Sequence, residues 1–322
     1  MSLPTVSVVV SAYERPAMLR ASLQSLLAQT YGQMEILVQD DSPSDLCAEV
    51  VEDLADPRIL YTHHQPSLGT LANLRAGYRK AKGTYVATLN DDDLYEPQYL
   101  ETMVRGLEQH PECCLAFADH NIIDGEGRVH VGASDRNSAG FGRDRLEPGV
   151  IDSPLELALV RKSVPGMFAV FRRELMDWSD FPDEANSGYD FWLTYLAVRT
   201  GRPVFYSDQR LTSYRTHEGS QTASFTDPDK RLRSLAYDLF MHRRFFEDER
   251  LRPVQDSIRE RLAAILVSTG NAHLQMGQRN PARKAFRQAL ALAPSRRARA
   301  GLALAALPAS ISKAVLRARA GV

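Results

Sequence analysis

Val6-Ser7-Val8-Val9-Val10 is apolar at nearly every position, not at every second one. A strand of that kind must be covered on both faces, as an inner strand is when helices flank its sheet. The following segments keep to this arrangement. Arg15-Pro16 opens a helix through Gln29, with Pro at a first-turn position and an apolar face of Leu19, Leu23, Leu26 and Leu27. Met34 to Gln39 reads as a strand, about Ser44 to Leu54 as a helix, and Ile59 to Thr62 as a third strand. Thr70 to Lys80 reads as a helix, Tyr85 to Leu89 as a strand, Glu96 to Gln109 as a helix, and Leu115 to Ala118 as a further apolar strand. This alternation predicts an α/β fold with a doubly wound, mostly parallel sheet.

Two of the strands end in acid. Met34 to Gln39 runs into Asp40-Asp41-Ser42, and Tyr85 to Leu89 runs into Asn90-Asp91-Asp92-Asp93. Buried charge is costly without a cation, a hydrogen-bonding ligand or water. In an α/β sheet the carboxyl ends of the strands are where a ligand crevice opens. The two turns can therefore line one crevice although fifty residues separate Asp41 from Asp91. Carboxylate oxygens there suit Mg²⁺ or Mn²⁺ shared with a phosphate. Most acidic runs are only solvated loops. This one closes a strand and leads into Leu94-Tyr95-Glu96-Pro97, read as a helix start, which favours a site. The chain has no Gly-x-Gly-x-x-Gly and no Gly-x-x-x-x-Gly-Lys, which argues against a dinucleotide fold and a P-loop.

A net charge of −1 argues against a general nucleic-acid binder, but it hides an asymmetry. Arg261 to Val322 carries eleven Lys or Arg and no Asp or Glu, so the rest has 28 basic and 40 acidic side chains. An acidic body is thus joined to a basic tail. Cys47, Cys113 and Cys114 have no metal-ligand spacing and read as buried thiols in a reducing compartment. No signal pattern and no membrane-length apolar run is visible, so a cytoplasmic protein is expected. Ser310 to Arg319 mixes apolar residues with Lys313, Arg317 and Arg319. It either lies on an anionic membrane, peripheral at the inner face, or keeps its basic face in water.

Further along, Asn121 to Gly149 reads as a hairpin around Asp124-Gly125 followed by a mobile loop. Pro165 to Phe171 reads as a strand, Tyr189 to Arg199 as an amphipathic helix, and Val204 to Tyr206 and Thr212 to Thr216 as two short strands. From Asp229 the pattern is helical. Gly270, Ala282, Phe286, Ala289 and Pro294 occupy the small, aromatic and Pro positions of a single tetratricopeptide repeat, at about 263–296. One repeat cannot bury its own face, so a helical hairpin packed on a body is expected, not a peptide-binding array.

Taken in order, Val6 to Pro16, Ser25 to Tyr31, Glu35 to Ser42, and Ala81 to Tyr85 with Leu89 to Asp93 resemble a family 2 glycosyltransferase of the GT-A fold. The resemblance covers roughly the first 220 residues. The expected division is 1–226 for this domain and 227–322 for a helical extension. The resemblance implies inverting transfer of a sugar from a nucleotide-diphosphate sugar to an acceptor hydroxyl of a saccharide or lipid-linked saccharide, in polysaccharide or glycolipid synthesis. A divalent ion, Mn²⁺ or Mg²⁺, would offset the diphosphate charge and improve the leaving group. Uridine is the base expected, with thymidine and guanosine as alternatives.

By the same resemblance Asp92 is the first metal ligand, Asp91 meets the ribose, and Asp93 supports the metal or the donor sugar. The family's motif often starts one residue earlier, where this chain has the uncharged Asn90. Asp41 matches the position that reads the base edge, a carboxylate accepting from a uracil N–H. Asp40 orients the turn, and Ser11 and Tyr13 flank the base. Arg15 meets phosphate or is solvated. Asn73 and Arg75 lie on the helix leading to the acidic strand; Arg75, where the family commonly has Asn, meets phosphate or base, or lies at the surface. Tyr214-Arg215-Thr216-His217 resembles the closing Tyr-Arg-x-His signature, which gives Arg215 to the diphosphate and His217 to the metal.

The proton of the attacking hydroxyl needs a base. The family's Glu-Asp pair falls here on Ser187-Gly188, ahead of Tyr189-Asp190-Phe191-Trp192-Leu193. Asp190 is the first candidate, against a plain role stabilising a helix N-terminus; Glu184 and Asp183 stand in reserve. Two rivals remain. One is a sugar-phosphate nucleotidyltransferase, which wants a Gly-rich loop that Ser11-Ala12-Tyr13-Glu14 lacks. The other is a non-catalytic nucleotide-sugar-binding relative, which the loss of the Glu-Asp pair keeps open.

Overall fold

In the computed structural model, which describes residues 4–217 and 228–307, the first apolar run is strand β1 (Val6–Ala12), buried on both faces. Val6, Val8 and Val10 share a core with Leu19, Leu23 and Leu26. Val9 faces the other way, so close to a later helix that a Cβ at Gly77 would lie 2.4 Å from its Cγ1. β2 (Met34–Asp40) and β4 (Tyr85–Asn90) pair with β1 in parallel on its two sides, and β3 (Ile59–His63) continues beyond β2. The intervening helices are α1 (Pro16–Leu27), α2 (Leu46–Leu54) and α3 (Thr70–Lys80). This is the doubly wound pattern expected from the sequence.

Beyond β4 the sheet becomes mixed. β8 (Ala169–Arg172) runs antiparallel between β4 and β6 (Leu115–Ile123), and β6 pairs in parallel with β9 (Val204–Arg215). β5 (Leu94–Tyr95) and β7 (Gly149–Ile151) are both antiparallel to β9. The strand order is β3-β2-β1-β4-β8-β6-β9-β5, with β7 on β9.

Several local expectations are corrected. Leu94-Tyr95 is a strand, not a helix start, because Glu96 N donates to Leu211 O on β9; α4 (Tyr99–Gln109) begins only after Pro97. The two short strands near residues 204 and 212 are one strand, β9, with register shifts opposite Asp119 that hide its continuity. The expected mobile loop holds a helix, α5 (Val131–Gly140). It is fastened to β6 by Ser134 Oγ accepting from Ile122 N and by Ser138 donating to Asp119. Arg143 Nε completes that buried cluster 2.7 Å from Asp119 Oδ1. α6 (Tyr189–Val198) is not amphipathic, since every residue in it except Asp190 is buried. Cys47, Cys113 and Cys114 are buried and free, as read from their spacing.

The chain divides into two compact units, Met1–Glu218 and Gly219–Val322. The second contains α7 (Pro228–Glu247), α8 (Gln255–Gln275), α9 (Arg279–Leu292) and α10 (Arg296–Ala306). Among the described residues no helix is long and apolar enough to cross a membrane. The basic segment Ser310 to Arg319 lies outside the described residues. α8 and α9 pack together as a helical hairpin, and α10 packs on it. Phe286 on α9 is fully buried, and it fits only because Gly270 and Gly301 face it from α8 and α10. A Cβ at Gly270 would stand 2.6 Å from the Phe286 ring. Gly270→Ala should therefore destabilise the second unit by roughly 1–3 kcal/mol, the usual cost of overpacking. Denaturation of the full chain reads this directly. The cost should shrink in a Phe286→Leu background, and strict additivity of the two changes would contradict the contact.

Candidate active site

Both acidic turns, which follow β2 and β4, flank the carboxyl end of β1. Asp40 is in register with Ala12 on one side and Asn90 with Ser11 on the other. The main chain continues the pairing one residue further: Asp41 N donates to Ala12 O at 3.0 Å, and Asp91 N to Ser11 O at 3.1 Å. The turn Tyr13 to Arg15 leaves β1 between them and starts α1. Ser11, Tyr13, Arg15, Asp41, Asp91 and Asp92 are thus brought to one strand end, as the crevice reading requires.

The acidic turn is pinned from behind. Ser22 on α1, fully buried, lies 2.9 Å from Asp91 O, 2.6 Å from Asp93 O and 3.3 Å from Asn90 O. Nothing in the sequence singled it out beyond a small hydroxyl in the middle of the Leu19/Leu23/Leu26 face. Asp93 is buried too, accepting from Arg215 N at 2.9 Å and Asn90 Nδ2 at 3.2 Å. Its carboxylate anchors β9 to the turn and is not presented as a metal ligand. Arg215 is spent likewise. Its Nε donates to Asp92 O at 2.7 Å, and its Nη1 donates to the carbonyls of Asp124 and Gly125, each at 3.1 Å. These main-chain carbonyls take the guanidinium that the family resemblance assigns to a diphosphate.

The open side of the turn holds a different set. Arg15 Nη2 lies 2.8 Å from Asp91 Oδ1, and Nη1 lies 2.5 Å from Asp92 Oδ2. Tyr13 N donates to the other Asp91 oxygen at 3.0 Å. His217 Nε2 stands 3.2 Å from Asp92 Oδ2. So Asp92 and His217, the two residues the family resemblance gives to the metal, are in direct contact. A carboxylate and an imidazole suit Mn²⁺ or Mg²⁺ better when further oxygens come from substrate. Among the described residues no group of three or more His, Cys, Asp or Glu is arranged to hold a metal on its own. Burial pushes the Asp91 carboxyl up to about 7, against the pull of Arg15 and with a push from Asp92. Burial also raises Asp93, and Asp92 adds to it. Burial would lower the Arg15 guanidinium, but the charges of Asp91 and Asp92 outweigh it and raise it.

On the other side of β1, Asp41 accepts from Ser67 Oγ, Leu68 N and Gly69 N at 2.6–2.8 Å. It holds the start of α3, a role that the sequence did not suggest. Asp40 accepts from Tyr61 and from Ser42 N, which fixes the turn as anticipated. Asn73 Nδ2 donates to Gln39 O at 2.8 Å, while its buried Oδ1 has no hydrogen-bond partner. Arg75 is not at the turn's carboxylates: it donates to Phe181 O and pairs with Asp183 at 2.6 Å. Tyr13 is half exposed, so its ring can take a base.

Asp190 sits in the first turn of α6, half-buried. Its carbonyl is held against Gly166, where a Cβ would come within 1.8 Å of the oxygen. Its neighbour Tyr189 donates to Asn90 Oδ1 at 2.6 Å, and Ser11 Oγ reaches the same oxygen at 3.3 Å. The helix bearing Asp190 is therefore fastened to the acidic turn itself. Glu184 is exposed and Asp183 faces Arg75, away from this contact.

The family model for Glycosyl transferase family 2 matches residues 7–177. The E. coli glucosyltransferase WfaP, named as UDP-Glc:alpha-D-GlcNAc-diphosphoundecaprenol beta-1,3-glucosyltransferase, is 23% identical over 223 residues, covering 68% of this chain and 80% of its own. Several other curated relatives are much longer, and this chain spans about a third of their length (35%). The structure of S. aureus TarS in complex with UDP-GlcNAc superposes with a TM-score of 0.68 at 16% identity, over 97% of this chain and 91% of that one. The mannosyltransferase PcManGT from Pyrobaculum calidifontis, in complex with GDP-Man and Mn²⁺, gives a TM-score of 0.59 at 16% identity, over 98% and 85%. These two likenesses establish the GT-A type of fold.

The displacement of the Asp91 pKa has a sign that can be measured. Its ordinary value is 3.8 and its folded value about 7, so between these the folded protein keeps a proton that the unfolded chain has lost. The stability this group contributes is full below about pH 4 and is lost as pH rises through about 7. In ligand-free protein the stability difference between wild type and Asp91→Asn should change by a few kcal/mol across that window, since a tenfold change in proton affinity is worth about 1.4 kcal/mol. A pH-independent difference in urea melts would show that Asp91 ionises freely.

Proposed function

The chain belongs to glycosyl transferase family 2, and we propose that it moves a sugar from a nucleotide-diphosphate sugar to an acceptor hydroxyl with inversion. One observation carries this reading: the end of β1 bears Asp41 on one flank and Asp91–Asp92 on the other, with Tyr13 and Arg15 between them. That is a base site and a diphosphate site on a single strand end. Tyr13 offers a ring face for the base. Asn73 Oδ1, buried and unpartnered, is an acceptor awaiting a ligand N–H, which a uracil or guanine edge supplies. Asp41 would join them once the Ser67 to Gly69 segment yields one of its bonds. Asp91 receives the ribose hydroxyls.

A divalent ion held by Asp92 and His217 would neutralise the diphosphate as it departs. The chain's own groups do the rest. The acceptor oxygen attacks the anomeric carbon from the face opposite the diphosphate; the new C–O bond forms as the bond to the diphosphate oxygen breaks, and that oxygen keeps the electron pair. Asp190 takes the acceptor's proton. It is the one residue of α6 that is not buried, and its neighbour Tyr189 is hydrogen-bonded to Asn90 of the acidic turn. WfaP's transfer to a diphosphoundecaprenol-linked sugar supports a lipid-diphosphate-linked saccharide as the acceptor class, and with it a role in polysaccharide or glycolipid synthesis. TarS and PcManGT support UDP- and GDP-sugars as the donors to try first, the latter with Mn²⁺. The replacement of the family's Glu-Asp pair by Ser187-Gly188 is what favours the second reading, a binder without catalysis.

Thermal shifts with a set of nucleotide sugars, with and without Mn²⁺, identify the donor. Transfer is then followed by UDP or GDP release and by the anomeric configuration of the product. Asp190→Asn should lower kcat by about 10²–10⁴ while the donor-induced thermal shift persists. Asp92→Ala should lose both. Wild-type turnover in Asp190→Asn would remove it as the base, and donor binding without any turnover in wild type would leave the binder.

A further inference from the structure

The acidic turn already holds a cation, and it comes from the chain itself. Arg15 reaches from the N-cap of α1 and spreads its fork over two carboxylates, Nη2 on Asp91 and Nη1 on Asp92. Nη1 also stands 3.4 Å from His217 Nε2. That ring nitrogen has one in-plane hydrogen or lone pair, so it either donates to Asp92 Oδ2 or accepts from Arg15, not both. One nitrogen of Arg15 thus faces both the Asp92 oxygen and the His217 nitrogen that would hold a divalent ion.

We propose that Arg15 is a displaceable internal counter-ion, which keeps the acidic turn neutralised in the ligand-free protein and competes with a divalent cation for Asp92 and His217. The inference rests on the reading of those two residues as cation ligands. The two charges cannot share the position, because Nη1 occupies the Asp92 oxygen the ion would need and a dication at such range repels it strongly. The arginine is the partner able to leave. Its side chain is 33% exposed, against 2% for Asp91 and 15% for Asp92. Asp91 is also held by Tyr13 N, and the turn's carbonyls are held by Ser22, so the carboxylates stay while the long side chain swings out. Released beside the site, its two-pronged fork is matched to a phosphate of the incoming donor. Exchange of one cation for the other spares the turn a state in which adjacent, partly buried carboxylates have no counter-charge at all.

The test uses the full chain without nucleotide and Mn²⁺ as the only ligand. Free Mn²⁺ is followed by electron paramagnetic resonance, and thermal unfolding is recorded in parallel, for wild type, Arg15→Met and Arg15→Lys. If Arg15 leaves the site open about a tenth of the time, Arg15→Met should bind Mn²⁺ about 10-fold more tightly. Its Tm without metal should fall, and its Mn²⁺-induced rise in Tm should exceed that of wild type. Arg15→Lys, with a point charge in place of the fork, should fall between the two, and it carries the test if the Met variant does not fold. Equal or weaker Mn²⁺ binding by the folded variants overturns the counter-ion role while leaving the cation site intact. Absence of Mn²⁺ uptake in all three proteins instead overturns the cation site from which the inference starts.

Discussion

The interaction on which the site depends is the pairing of β1 with β2 and β4 at their carboxyl ends. An inner parallel strand has neighbours on both sides, so whatever follows those neighbours is delivered to the same place. Here the register places Asp40 beside Ala12 and Asn90 beside Ser11, and one further amide bond on each side brings Asp41 and Asp91 into line. Burial then makes these acids expensive unless each has a partner. The partners differ in kind. Amides and hydroxyls serve Asp40, Asp41 and Asp93, and the Arg15 guanidinium serves Asp91 and Asp92. That division leaves Asp91 and Asp92 with a partner on a long, part-exposed side chain, while the other three are held by the main chain and neutral side chains.

The parallel half of the sheet was legible because its signals are local. Continuous apolar runs, turn acids and a Pro at the start of α1 each mark an element without reference to the rest of the chain. The second half was not, because its elements are fixed by distant partners. Leu94-Tyr95 is a strand only because β9 passes beside it. β9 looked like two strands because polar residues interrupt it, and β6 tolerates them through register shifts at Asp119. α5 has weak helical character and several Gly and Ser residues, so its sequence resembles a loop. It is ordered by the buried Asp119–Arg143 pair and the Ser138 contact, both invisible to any window-based reading. α6 holds Tyr, Thr and Trp residues that are buried nonetheless, with polar atoms that find partners inside, as Trp192 Nε1 does at Asp180 O.

The same contrast applies within the site. That the Asp91–Asp93 run stands at a strand's carboxyl end, beside the end of β1, could be read from the chain. Which of the three faces outward could not. Adjacent residues in a turn point to different sides, and the choice was made by β9, whose Arg215 amide claims Asp93 and whose guanidinium caps the Asp92 carbonyl. Arg215 is buried, and three of its five guanidinium N–H groups are given to main-chain carbonyls, which makes it a strut between β9, the acidic turn and the Asp124–Gly125 turn. Ser22 is the mirror case, an unremarked helix residue that ties the turn to α1.

Asn90 shows how a departure from a family pattern can be absorbed. A carboxylate in its place would add a fourth charge to a turn that already costs a great deal to bury. The amide adds none and still makes two kinds of bond: Nδ2 donates to Asp93, while Oδ1 accepts from Tyr189 and Ser11. A carboxylate could accept from Tyr189 but could not donate to Asp93. Asn90 therefore joins the buried acid, the end of β1 and the helix of Asp190 through one neutral side chain. α6 is placed by its packing on neighbouring segments, such as the Asp190 carbonyl against Gly166, and the Tyr189–Asn90 bond adds one direct tie from that helix to the acidic turn.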